Sequence, residues 1–169
     1  GARTVLWRLP RALGAMDEYA QLIAAHADPG VRVIAAERVK HLNRSMNDVL
    51  ARHFTDVRAS LGRRKARALL ASGRIPSEPT WPRTVRLDAL ELDVVAHGAT
   101  FNTNRLDRGT ALLTSVFDRL PLASTGIDLG CGSGILAALL ARRGVRVTAV
   151  DVAWSATDAA RLTASANGL

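Results

Sequence analysis

The feature that most constrains this chain is the segment Asp128-Leu129-Gly130-Cys131-Gly132-Ser133-Gly134. The apolar run Thr125–Leu129 before it reads as a strand, and the residues from about Ile135 to Arg143 read as a helix closed by Gly144. Glycines at alternate positions let the backbone turn tightly and approach a ligand with no Cβ atoms in the way. The helix that follows offers free N–H groups to a negative group. Val145–Val150 reads as the next strand, and Asp151 stands at its end, where a carboxylate can accept both hydroxyls of a ribose. Strand, loop, helix and strand in this order demand a parallel α/β sheet.

Three cofactor readings compete for the loop. A dinucleotide fingerprint needs G-x-G-x-x-G; from Gly130 the third glycine would be Ile135. From Gly132 the looser G-x-G-x-x-A form fits through Gly134 and Ala137, but it slides the loop into the helix. A P-loop needs Gly-Lys-Ser/Thr, and no lysine is present here. The pattern D/E-x-G-x-G-x-G, a loop for S-adenosylmethionine, fits in full. Structural glycines with no ligand are the bland alternative.

The rest of the chain supports an α/β protein. Val5–Trp7 reads as a strand and Val31–Ala36 as another. Between them Leu13, Met16, Tyr19, Ala20, Ile23 and Ala27 recur at helical spacing, after Pro10 in the first turn and before Pro29-Gly30. Asn43 or Ser45 can cap a second helix carrying Met46, Val49, Leu50, His53, Phe54 and Val57 on one face. Lys65–Ala71 reads as a third strand, which gives the β-α-β-α-β rhythm of a parallel sheet. Pro76, Pro79 and Pro82, with Gly73 and Ser77, form an irregular connector, and we place the domain boundary there. Thr84–Leu87 and Glu91–Val95 alternate as a hairpin. A helix is expected over 106–120, with Leu106, Leu112, Leu113, Val116, Phe117 and Leu120 on one face, stopped by Pro121. Ser155 with Asp158 resembles a capping box for a last helix ending near Asn167-Gly168.

Composition excludes several classes. Apolar residues at 48% and charged residues at 22% belong to a folded domain, not a disordered tail. A length of 169 residues fits one domain or two small ones. No apolar run is long enough to span a membrane, so no membrane partner is expected. The single cysteine, Cys131, rules out an internal disulfide and points to a reducing, cytoplasmic setting. It reads as a small loop residue, not a nucleophile. His26, His41, His53 and His97 lack metal-ligand spacing and read as surface or filler; no metal is expected. The chain starts with Gly1, which suggests that an N-terminal portion has been removed. Net charge is +8, carried mostly by residues 1–100, where 16 basic side chains face 10 acidic ones. Between Arg58 and Arg74 there are six basic residues and no acid, so Arg63, Arg64 and Arg67 are candidate contacts to an RNA backbone. A solvated, arginine-rich surface is the alternative.

Asp128–Gly134 with Asp151 resembles the class I S-adenosylmethionine methyltransferases. Residues 97–113 are similar to the segment before the glycine loop in the "methyltransferase small" family, roughly Gly/Ala-x-x-Phe-Ser-x-x-x-Leu-Asp-x-Gly-x-x-Leu-Leu. Phe101, Leu106, Asp107, Gly109, Leu112 and Leu113 match, and Asn102 stands where serine is usual. That family includes bacterial ribosomal RNA guanine-N2 methyltransferases. The resemblance implies a Rossmann-like methyltransferase fold, partial here, preceded by part of a second methyltransferase-like α/β domain. Residues 1–75 would belong to that accessory domain, 76–96 to a linker and hairpin, and 97–169 to the N-terminal part of the cofactor-binding domain. It also implies roles. Gly130, Gly132 and Gly134 wrap the methionine part of S-adenosylmethionine. Asp128 contacts its amino end, or caps the loop's own N–H groups. Asp151 holds the ribose, or caps a helix. Asp107 and Gly109 approach the methionine side, although Asp107 equally suits a helix N-cap. Phe101 flanks the target base or packs in a core. Family members orient the amine with Asn-Pro-Pro-Phe/Tyr after the fourth strand. This chain has no such motif, so we expect a fragment, cut at both ends and without turnover of its own. The longer protein would methylate a guanine amine in ribosomal RNA; the alternative is a non-catalytic RNA-binding or assembly module.

Overall fold

The computed structural model describes residues 1–100, 106–121 and 123–169, apart from the side chain of Asp118. They divide into two compact units, Gly1–Thr80 and Trp81–Leu169.

The first unit starts with β1 (Thr4–Arg8), α1 (Leu13–His26) and β2 (Arg32–Arg38), and β1 and β2 pair in parallel. Asn43 caps α2 (Arg44–Ala51) by accepting the Met46 N–H at 3.1 Å, as its side chain is suited to do. The helix then stops, and Phe54–Ala59 is a strand, β3, not the last turns of α2. Phe54 and Val57 fit helical spacing from Val49, but over so few residues periodicity cannot separate helix from strand. The strand expected at 65–71 is β4 (Ala66–Arg74), and it runs antiparallel to both its neighbours. The sheet order is β1-β2-β4-β3. The βαβαβ rhythm is therefore real, but its third parallel strand is β3, held one place out by the inserted β4.

Helices α1 and α2 bury one face of this sheet. Met16, Ala20 and Ala24 meet Val33, Ala35, Met46, Leu50, Phe54 and Leu69, each almost wholly buried. Leu13 and Tyr19, expected on the inner face of α1, are more than a third exposed; the buried stripe instead includes Asp17, Glu18 and Gln21. These polar groups have partners. Gln21 donates to the Glu78 carbonyl at 2.7 Å and accepts the Thr80 N–H at 2.9 Å, which fixes the irregular connector to α1. Asp17 holds His53 at 3.0 Å, so His53 is a buried, paired histidine and not a surface one.

The second unit opens with the expected hairpin, β5 (Arg83–Leu87) and β6 (Leu92–Ala96), turned by Asp88–Leu90 and Glu91. After α3 (Arg108–Val116) come β7 (Thr125–Leu129), α4 (Ile135–Arg142), β8 (Arg146–Val150) and α5 (Trp154–Ala166). The apolar face expected for α3 is not buried: Leu112 is 69% and Leu113 48% exposed. Strands β7 and β8 pair in parallel.

Helix α5 closes the free edge of β6. Thr163 is fully buried; its hydroxyl accepts the Val95 N–H at 2.9 Å and donates to the Val95 carbonyl at 3.2 Å. One helical turn on, Asn167 accepts the Asp93 N–H and donates to the Asp93 carbonyl. Four helical residues rise about 6 Å and two strand residues about 6.8 Å, so the two side chains meet alternate residues of the strand edge. Thr163→Val keeps the shape and leaves a buried N–H and C=O without partners. It is expected to lower stability by roughly 1–3 kcal/mol in denaturant unfolding. Thr163→Ser keeps the hydroxyl, gives up only the methyl group and should lose less; unchanged stability in Thr163→Val would show that the hydroxyl's bonds to Val95 contribute nothing.

The expected capping box at Ser155 and Asp158 does not form. The N-cap is Ala153, and Asp158 bonds instead to His97 at 2.9 Å and Arg161 at 2.8 Å. His97 is thus a second buried, paired histidine. No described helix is long and apolar enough to cross a membrane. No group of three or more potential metal ligands occurs among the described residues.

Candidate functional site

Strand β7 delivers Asp128 and then the glycine loop; β8 delivers Asp151 beside it. The two strand ends are tied together, because the Val150 carbonyl accepts the N–H groups of Gly130 at 2.8 Å and Cys131 at 3.0 Å. Gly130, Gly132 and Gly134 have φ of +77°, +52° and +77°, a region that other residues rarely enter. Their surroundings differ. A Cβ at Gly130 or Gly132 would meet nothing within 4 Å, whereas one at Gly134 would lie 2.7 Å from Cα and Cβ of Ala160. The first two leave open space in front of the loop; the third lets α4 and α5 approach.

The two carboxylates sit in opposite environments. Asp128 is buried and accepts the Ala137 N–H at 3.0 Å, so it caps the first turn of α4. Burial raises its pKa above the ordinary value; the Ala137 N–H opposes this and the Asp151 charge adds to it. Asp151 accepts the Ala153 N–H at 2.9 Å and the Gly132 N–H at 3.1 Å, and these two bonds hold it below the ordinary value. It is therefore a settled anion that stiffens the loop and the turn leading into α5.

Asp107 is the N-cap of α3. It accepts the N–H groups of Gly109 and Thr110 and the Thr110 hydroxyl, and the hydroxyl bond is the chief cause of its lowered pKa. Asp107, Asp128, Gly130, Gly132 and Asp151 line one cleft of about 270 Å³. Gly109 and Gly134 do not line it: the Gly109 N–H is turned to Asp107, and Gly134 packs on Ala160. Thr110 and Ser133 line it without having been singled out in sequence; the hydroxyl three residues after Asp107 was the available signal for Thr110. Cys131 also lines the cleft, but burial first, then Asp128 and Asp151, push its thiol up, so it stays protonated and a poor nucleophile. Phe101 and Asn102 lie outside the described residues. Arg63, Arg64 and Arg67 belong to the first unit, at the β3–β4 turn and the start of β4.

A glycine loop between a parallel strand and a helix, with one acid at its start and a second at the end of the next strand, defines a Rossmann-like methyltransferase domain. Residues 91–169 match the methyltransferase small domain family, and residues 1–75 match the RLMG N-terminal domain family. Among similar curated proteins, the ribosomal RNA large subunit methyltransferase G of Ectopseudomonas mendocina (strain ymp) is 38% identical over 163 residues, covering 93% of this chain. That of Pseudomonas fluorescens (strain Pf0-1) is 35% identical over 163 residues, covering 92%. The chain spans 43% of the length of either relative. The fold is also that of the T. thermophilus 16S rRNA N2 G1207 methyltransferase (RsmC), solved in complex with AdoMet and guanosine. The TM-score is 0.76 at 20% identity, over all of this chain and 49% of that one.

Proposed function

We propose that the protein carrying this chain transfers a methyl group from S-adenosylmethionine to the exocyclic amine of a guanine in ribosomal RNA. The observation that supports it most is the cleft that joins Gly130 and Gly132, open where a Cβ would stand, to the carboxylates of Asp107, Asp128 and Asp151. These residues fit the cofactor. It carries a ribose diol and two positive groups, an ammonium and a sulfonium, and the cleft presents hydroxyl acceptors and negative charge. When bound, S-adenosylmethionine supplies an electrophilic methyl group.

Each residue has a task in that reading. Asp151 receives the ribose hydroxyls, with lone pairs left over from its two backbone bonds. Gly130 and Gly132 let the backbone lie against the methionine part. Asp107, pre-set by Thr110, and Asp128 face the ammonium side. Gly134 and Gly109 support the site without touching the ligand. Transfer is an in-line displacement, so the protein mainly positions and desolvates its reactants. The amine sheds its proton after attack, and neither a strong base nor a metal is called for. The relatives' names and the RsmC complex favour ribosomal RNA and guanine as the acceptor. A cytoplasmic location follows from that substrate.

The test is methyl transfer by the full-length protein. Labelled S-adenosylmethionine is incubated with ribosomal RNA lacking the modification, and the RNA is digested to nucleosides. Label in N2-methylguanosine is expected. Label in another base, or none in RNA, would overturn the assignment.

A further inference from the structure

The hairpin joining β3 to β4 ends in an unusual turn. Arg63 and Ala66 exchange both backbone hydrogen bonds, at 2.8 and 2.9 Å, so Arg64 and Lys65 form a two-residue loop. Both have positive φ, +48° and +63°. Such turns select Asn-Gly, because a side chain with a Cβ is strained there. Here the two strained positions carry long cationic side chains, both exposed. The Lys65 carbonyl accepts the Val39 N–H at 2.9 Å, which holds the tip against the 3₁₀ turn Val39–His41 after β2. Arg38, Lys40, Arg64 and Lys65 thereby line one open cleft with Val39.

No acid lines that cleft, and none of the four cations has a carboxylate partner within the described residues. The acid next in sequence, Glu37, is turned to Arg8 at 3.5 Å and to the Arg38 N–H at 2.8 Å. Four like charges gathered without a counter-charge repel one another, and the turn that presents two of them is itself unfavourable. Asn-Gly would close the same hairpin without that strain, so closing the turn does not account for the two cationic side chains at its tip.

We propose that the hairpin tip and the 3₁₀ turn after β2 form a clamp for the phosphodiester backbone of RNA, with Arg38, Lys40, Arg64 and Lys65 as its contacts. The inference rests on the proposed function for its choice of RNA as the polyanion. It also redraws the basic stretch visible in sequence. Arg64 belongs to the clamp together with Arg38 and Lys40, which lie more than twenty residues away. Arg67 does not: it stands opposite Glu37 in the β2–β4 register, on the other sheet face from Arg38 and Ala66.

The test uses this chain and a fluorescein-labelled single-stranded RNA, with anisotropy titrations over a range of salt. Two double variants are compared with the parent, Arg38→Ser/Lys40→Ser and Arg64→Asn/Lys65→Gly. Removing one phosphate contact should lower the slope of log affinity against log salt by about 0.7, and each double variant should bind roughly tenfold more weakly at moderate salt. The second variant also places the favoured residues in the turn, so its melting temperature should rise by roughly 4–8 °C while RNA binding falls. A merely structural role cannot produce that opposition. An unchanged slope in both variants overturns the clamp. So does an equal loss in Arg3→Ser/Arg146→Ser, which removes the same charge elsewhere, or equal binding of polyglutamate, which would assign the patch to an acidic protein. The outcome is separable from the proposed function. Changed salt slopes without methyl transfer leave the clamp standing alone, and methyl transfer with unchanged slopes removes only the clamp.

Discussion

Gly134→Ala is expected to destabilise residues 81–169 by roughly 2–5 kcal/mol, the largest loss from any single methyl group added to the loop. Two effects add. At φ +77° an alanine costs about 1–2 kcal/mol relative to glycine. Its Cβ would also lie 2.7 Å from both Cα and Cβ of Ala160, so α4 and α5 must separate, at about 1–3 kcal/mol for overpacking. The helices have little slack, because their contact is built from small buried residues: Ala138, Ala156, Ala159 and Ala160. Gly130→Ala has a similar φ but meets nothing within 4 Å, so only the backbone penalty applies. Denaturant unfolding of the two variants separates the terms. Ala160→Gly in the Gly134→Ala background removes one of the two colliding atoms and should restore only part of the loss. Equal unfolding shifts for Gly130→Ala and Gly134→Ala would refute the packing role. In the cofactor assay the order should reverse: Gly130→Ala intrudes on the cleft, and Gly134, which does not line it, matters there only through folding.

Asp151→Ala should weaken binding of S-adenosylmethionine, or its demethylated product, to the full-length protein by about 10- to 100-fold in calorimetry. Two charge-assisted bonds to the ribose diol would disappear; 10- to 100-fold is about 1.4–2.8 kcal/mol, below the full sum of two such bonds because water reaches the open cleft and hydrates the freed diol. The structure adds a stability effect, since the same carboxylate accepts the N–H groups of Gly132 and Ala153. Losing the acceptor of two backbone N–H groups costs on the order of 1 kcal/mol per bond. Asp151→Asn should fall between the parent and Asp151→Ala in both assays, because its amide retains one acceptor and sets an NH2 against one of those N–H groups. The stability difference between the parent and Asp151→Ala also depends on pH in a defined direction. Backbone bonds from Ala153 and Gly132 lower the folded pKa below that of the unfolded chain. The contribution is therefore complete above about pH 4, the unfolded carboxylate value, and disappears as pH falls through the lower folded value. Unchanged cofactor affinity with a lowered melting temperature would make Asp151 a loop tether only.

These two residues show where sequence reading worked and where it stopped. The pattern from Asp128 to Gly134 is legible because each requirement is local: a strand end, alternating turns and a helix start within about ten residues. Asn43 and Asp107 were legible as caps for the same reason, since the N–H groups they accept lie two or three residues ahead. The hairpin over 83–96 likewise needs only its own alternation and turn. What distinguishes Gly134 from Gly130 is invisible at that range. It depends on Ala160, which is brought alongside by the packing of α5 on α4.

By itself the sequence determined the glycine loop, its two flanking acids, the α/β alternation and the family resemblance, because those follow from short-range backbone geometry and residue spacing. Only the tertiary structure decided which strand lies beside which. β4 enters antiparallel between β2 and β3, a choice that for β2 joins partners about thirty residues apart in sequence. It alone drew His53 to Asp17 and His97 to Asp158, because a buried polar group needs a partner and that partner came from a distant element. It also set Thr163 and Asn167 on the edge of β6, and Arg38 and Lys40 beside Arg64 and Lys65. Such pairings satisfy hydrogen bonds and collect charge across the fold, and no local pattern in a chain encodes which distant residues will meet.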